Sequence, residues 1–219
     1  MNRRFETAWA LHVFLGRRGI PYAIIRGIAV QRWGQPRLTR DVDLTILLPP
    51  GREEPIPHEI VAAFLSRIDN AVAFALEHRV LPVEVPGGSE ADLSLGLPGY
   101  EEEVVARAVS YDLGGGRQLR MCTAEDLLVH KALAGRPQDL MDIEGIVVRQ
   151  GTALDVAYVR RWLNELARVA DDPEVASRFE HVWAERGPRD YSARGCRAPS
   201  AAPRRGARIV LIYAGLHRT

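Results

Sequence analysis

The chain has 219 residues and 24.4 kDa, of which 47% are hydrophobic and 26% charged, so it is long enough for a full hydrophobic core. That composition excludes wholesale disorder, a collagen-like repeat and a disulfide-built miniprotein; the two cysteines, Cys122 and Cys196, give no sign of an oxidising compartment. The net charge of +1 hides an asymmetry: from Arg186 onward eight arginines face one acid, Asp190, leaving the preceding residues with a net −6. The start, Met1-Asn2-Arg3-Arg4-Phe5-Glu6, has no apolar signal core, and no apolar run is long enough for a membrane span, so a cytoplasmic protein without membrane contact is expected.

In chain order, residues 5–17 place Phe5, Trp9, Val13 and Leu15 at helical spacing, and Gly19-Ile20-Pro21 ends that helix. Residues 22–25 read as a buried strand, 27–33 as a turn into a brief helix, and 41–48 as a second strand closed by Pro49-Pro50-Gly51. A helix over 57–67 continues or restarts over 71–77; strands follow at 80–85 and 91–95. A helix over 101–108, a hairpin or loop at Gly114-Gly115-Gly116 and a strand over 118–122 complete an α/β unit.

Everything beyond reads as helical. Thr123 caps 124–133, Pro137 opens a helix to 149, and Asp155 caps one through 169. The expected fold is α+β: a mixed sheet flanked by helices over 1–122, a helical half over 123–185, and a basic tail over 186–219 that contains a short apolar run, 208–213. Eight arginines make that tail either a mobile appendage or a nucleic-acid arm whose binding would fall steeply with salt.

The informative segment is Gly27, thirteen intervening residues, then Asp41-Val42-Asp43. Alternation along a strand puts both carboxylates on one face, where they repel unless they are solvated, protonated or bridged by a cation. Magnesium takes one or two carboxylates together with phosphate oxygens, and Asp92 is the candidate third acid on a neighbouring strand. Arg37, Thr39 and Arg40 lead into the pair. Lys131 is the one lysine among 29 basic residues, and Asp139 and Asp142 stand three apart on one helical face. No histidine or cysteine spacing suits zinc, and no Gly-rich phosphate-loop motif occurs.

Ile25-Arg26-Gly27 followed by Asp41-Val42-Asp43-Leu44 resembles the polymerase-beta-like nucleotidyltransferase superfamily, with its small residues, spacer and Asp-hydrophobic-Asp. Segments 75–80, 92–101 and 122–128, Lys131, and Arg136-Pro-Gln-Asp139-Leu-Met-Asp142 look like the branch related to AbiEii-type toxins of toxin–antitoxin systems. The resemblance spans residues 5–170. It implies a transferase that binds ATP or another nucleoside triphosphate and moves its monophosphate to a hydroxyl of RNA such as tRNA, of a protein, or of a small molecule. It makes Asp41, Asp43 and Asp92 the holders of magnesium, or of manganese in its place, with Asp92 helping to deprotonate the hydroxyl. Lys131 would be a ligand for the triphosphate or a charge stabiliser in the transition state, Arg26, Gly27, Arg37, Thr39 and Arg40 would border the nucleotide, and a cognate antitoxin or toxin would be the partner. Arg26 departs from the pattern's small residue: its guanidinium either grips phosphate or fills the pocket, leaving a non-catalytic relative that acts as a binding partner or antitoxin.

Overall fold

A computed structural model describes residues 2–188; most of the basic tail, its 208–213 run and Cys196 lie outside the described residues. The N-terminal elements are α1 (Arg3–Arg17), β1 (Tyr22–Ile25), α2 (Arg26–Trp33), β2 (Val42–Ile46), α3 (Pro55–Ala63), β3 (Leu65–Ser66), α4 (Ala71–His78) and β4 (Val80–Glu84). They are followed by β5 (Glu90–Leu95), α5 (Tyr100–Arg107), β6 (Val109–Gly114), β7 (Arg117–Met121), α6 (Ala124–Ala134), α7 (Pro137–Gln150), α8 (Val156–Ala170) and α9 (Glu174–Arg186). The expected mixed sheet with a helical C-terminal part is what the chain forms, and no helix among the described residues is long and apolar enough to cross a membrane.

The sheet runs β3-β4-β5-β2-β1-β7-β6. β1 and β2 lie at its centre and are buried along their whole length; β1 accordingly reads as a continuous apolar run, whereas β2 places Asp43 and Thr45 between Val42, Leu44 and Ile46. β2 is antiparallel to β1 but parallel to β5, and this switch aligns the sites that matter: Asp43 pairs with Ile25 on one side and Asp92 on the other. Asp41 stands just before β2 rather than inside it, a correction to the expected strand over 41–48.

Two other expectations need revision. The helix read over 57–67 ends at Ala63, since Phe64 is extended and Leu65–Ser66 form a short edge strand. Val109–Gly114 is a strand beyond those read from the sequence; it is joined to β7 through Gly114, Gly115 and Gly116, whose φ angles of 82°, 64° and 76° suit glycine and little else. Thr123 and Asp155 cap α6 and α8 by accepting from the amides of Asp126 and Tyr158 at 3.2 and 2.9 Å.

α8 buries Tyr158, Val159, Trp162, Leu163 and Leu166, a single helical stripe. One hydrophobic cluster extends from Ala8 to Phe179 and includes residues from both the sheet and the helices after 122. α2 touches β1 and β2 and also α6 and α7, so this short helix joins the sheet to the helical part. The turn entering α2 and the start of α7 both border the cavity described next.

Candidate active site

A cavity of about 410 Å³ opens where β1 turns into α2, beside the starts of β2 and α7. Its lining includes the expected metal, nucleotide and catalytic residues Arg26, Gly27, Arg37, Thr39, Arg40, Asp41, Asp43, Asp92 and Lys131, while Asp142 lies behind it, bonded to Arg37 and Lys131. Leu38, Arg136, Gln138 and Asp139 complete it. Five cations and four acids therefore face one polar space.

Strand register creates the acidic side. Asp43 and Asp92 are partners across the parallel β2–β5 ladder, so their backbones are about 4.8 Å apart. Asp43 is 7% exposed, and burial pushes its carboxyl up to about 6; the Arg26 charge opposes that rise, while Asp41 and Asp92 add to it. Asp92 is also raised, first by burial, with Arg67 opposing and Asp41 reinforcing. The three carboxylates thus sense one another.

Each of the two paired aspartates has a guanidinium on one oxygen. Arg26 Nη1 donates to Asp43 Oδ1 at 3.1 Å, and Arg67 Nη1 donates to Asp92 Oδ1 at 2.7 Å while its Nη2 reaches Glu90 at 3.0 Å. Among the described residues no group of three or more His, Cys, Asp or Glu side chains is by itself placed to hold a metal ion. The donors that are present, two adjacent carboxylates with hard oxygens beside a polar cavity, fit magnesium arriving with phosphate oxygens rather than a protein-only site.

Arg26 occupies a left-handed backbone position, φ 54°, where a small glycine would sit without strain and an arginine costs about 1 kcal/mol. Gly27 is required for a reason other than phosphate approach: a Cβ there would lie 2.8 Å from the Cβ of Thr39. Thr39 in turn is buried over Gly27 and donates to Asp41 Oδ1 at 3.3 Å, tying the loop to the first acid. Arg40 is exposed at the rim.

The basic side is organised by α6 and α7. Lys131 is 2% exposed, and its Nζ reaches Asp139 at 2.7 Å and Asp142 at 2.8 Å. Burial raises both carboxyls, but Arg136 and Lys131 outweigh it at Asp139, and Arg37 and Lys131 at Asp142, leaving both below the usual carboxylate range. His130, next in sequence, is buried against the edge of Tyr100, and burial lowers its pKa to about 3.

Sequence reasoning missed Arg67 and did not assign Arg136 or Gln138 a site role. Arg67 sits in the irregular segment between β3 and α4, with no motif to mark it. Arg136 and Gln138 flank Pro137 at the start of α7, a placement that the Pro-led helix start could have suggested.

No protein-family model and no curated protein matches this chain. Among solved structures it is similar to an antigenic nucleotidyltransferase-like protein from Paracoccidioides brasiliensis, at 19% identity over 80% of this chain and 91% of that one, with a TM-score of 0.46. It is also similar to the antibiotic-resistance factor ANT(2'')-Ia, at 20% identity over 77% of this chain and 95% of that one, TM-score 0.45. A further similar structure is ANT(2'')-Ia in complex with adenylyl-2''-tobramycin, at 17% identity over 82% and 98%, TM-score 0.38.

Proposed function

We propose that this chain is a nucleotidyltransferase: an acceptor hydroxyl attacks the α-phosphorus of a nucleoside triphosphate, the bond to the β-phosphate oxygen breaks, and pyrophosphate leaves. The observation that carries this reading is the in-register pair Asp43 and Asp92, with Asp41 beside them, lining one cavity together with Arg37, Arg40 and Arg136. Transfer of this kind depends mostly on positioning and on neutralising charge, and a space lined by both carboxylates and guanidiniums supplies both.

In this reading Asp41, Asp43 and Asp92 hold magnesium, for which manganese can substitute. Bound there, the ion neutralises charge on the triphosphate. Arg37, Arg40 and Arg136 bond phosphate oxygens, and Thr39 keeps the loop carrying Arg37 and Arg40 in place. Asp92 accepts the proton of the attacking hydroxyl; its raised pKa makes it a better base than an ordinary aspartate. The toxin-like sequence resemblance favours tRNA or a protein as acceptor, with a cognate antitoxin as partner.

A second reading has a specific observation behind it. Arg26 and Arg67 already neutralise Asp43 and Asp92, as expected of a catalytically degenerate relative that works as a protein-binding partner or antitoxin. The two are separated by incubating the full chain with each labelled nucleoside triphosphate, Mg²⁺, and total RNA or cell lysate, beside an Asp41→Ala/Asp43→Ala variant. Label transfer by the wild type and none by the variant supports the enzyme. Equal transfer by both removes the mechanism, and no transfer by either favours the degenerate relative.

A further inference from the structure

Lys131 borders the cavity from an almost fully buried position, and the charges around it form a chain rather than a cluster. Its ammonium contacts two aspartates one helical turn apart on α7, at 2.7 and 2.8 Å, and its side chain is 3% exposed. Asp142 passes its remaining capacity to Arg37 as a two-pronged bond, Nε to Oδ1 and Nη2 to Oδ2, both 2.8 Å. Asp139 does the same for Arg136, whose Nε and Nη2 donate at 2.6 and 3.3 Å and whose backbone amide donates at 3.2 Å. The aspartates are almost fully enclosed, whereas the arginine side chains keep 29% and 42% of their surface and border the cavity.

Burial explains the order of the chain. Two carboxylates cannot be enclosed side by side without a cation between them, and a buried charge without a partner is costly. Lys131 is that cation. With both aspartates held ionised and immobile, each fixes one planar guanidinium, which has few other orientations once both prongs are engaged. Across the five groups the charge is +1, and the surplus lies on the arginines at the cavity wall.

We propose that Lys131 is a positioning residue: through Asp139 and Asp142 it aims Arg37 and Arg136 at the phosphate oxygens of a nucleoside triphosphate and does not itself touch the substrate. This rests on the nucleotidyltransferase reading and departs from the roles of triphosphate ligand or transition-state charge stabiliser that the sequence resemblance implies for Lys131.

The test is the affinity of the full chain for ATP, GTP, CTP and UTP with Mg²⁺, by titration calorimetry, in the wild type, Lys131→Met, Arg37→Gln/Arg136→Gln and the triple variant. Lys131→Met and the arginine double variant are each expected to weaken triphosphate binding about tenfold or more. The triple variant should bind within about twofold of the arginine double variant, because the lysine acts through those same arginines. The preference for triphosphate over the corresponding monophosphate should also fall in Lys131→Met, a change that general loosening of the fold would not produce. Losses that multiply in the triple variant, or Lys131→Met binding as wild type, overturn the proposal.

If Lys131→Met does not fold, Asp142→Asn, Arg37→Gln and their combination pose the same question: a combined loss equal to that of Arg37→Gln supports the relay, and multiplied losses reject it. A wild type that binds none of the four triphosphates removes the nucleotidyltransferase reading along with the relay, whereas binding with multiplied losses removes the relay alone.

Discussion

Replacing Asp43 by Asn should stabilise the folded protein at neutral pH while abolishing transfer. Asp43 is 7% exposed, and burial, with Asp41 and Asp92 adding, lifts its carboxyl from 3.8 to about 6 despite the Arg26 charge. A carboxyl whose folded value lies above its unfolded one makes the native state bind more protons between the two. Its contribution is therefore complete below about pH 4 and is lost as pH rises through 6. A rise of about two pH units corresponds to roughly 3 kcal/mol of destabilisation above pH 7. Asparagine has the shape of the protonated acid, carries no charge, and keeps an Oδ1 that can accept from Arg26 Nη1. Urea unfolding of wild type and Asp43→Asn at pH 4, 5, 6 and 7.5 reads the effect. The two should be close at pH 4 and differ by about 2–3 kcal/mol in favour of the variant at pH 7.5, with equal denaturant slopes. Asp92 is shifted the same way, and Asp139 and Asp142 the opposite way, so the difference between the two proteins, not either curve alone, isolates Asp43. A variant less stable than wild type at pH 7.5, or a difference independent of pH, would refute the reasoning.

Arg67→Gln removes the guanidinium from Asp92 Oδ1, at 2.7 Å, and should tighten Mn²⁺ binding about two- to fivefold in calorimetry; unchanged or weaker binding would count against a metal at Asp92. Gly27→Ala drives a methyl into Thr39 and should cost about 1–3 kcal/mol in urea unfolding, whereas a stability equal to wild type would mean the loop over Gly27 yields freely.

The elements that could be read from the sequence were those whose signal is local. β1 announces itself as an apolar run, β2 by its β-branched and apolar residues Val42, Leu44 and Ile46, Thr123 and Asp155 as caps, and Asp41 with Asp43 as charges before and within a buried strand. β6 also carries a local signal, Val109, Tyr111 and Leu113 alternating with polar residues, but its pattern merges into the glycines that follow. Arg67 is different in kind. Its partners Glu90 and Asp92 lie 23 and 25 residues further on and meet it only because β3 pairs with β4 and β4 with β5. Nothing near Arg67 in the chain encodes that meeting. The α7 aspartates fall between these cases: their spacing predicts a shared helical face, but that Lys131 would be buried between them depends on α6 packing against α7.

The single lysine gains a physical reason from that packing. A chain in which 29 basic positions include one lysine selects strongly for arginine, and the exposed basic positions offer no obstacle to it. Position 131 does. An ammonium is a compact charge that can answer two carboxylates 2.7 and 2.8 Å away within an enclosed space, whereas a guanidinium is a flat, larger group that delivers its donors as a fork. Both aspartates already receive such a fork, from Arg37 and Arg136, so a third would have to enter a space that is closed. Lys131→Arg keeps the charge and adds volume, and it should destabilise the fold by about 1–3 kcal/mol in urea unfolding. Stability equal to wild type would mean that the space admits a guanidinium, and the survival of a lysine there would then owe nothing to packing.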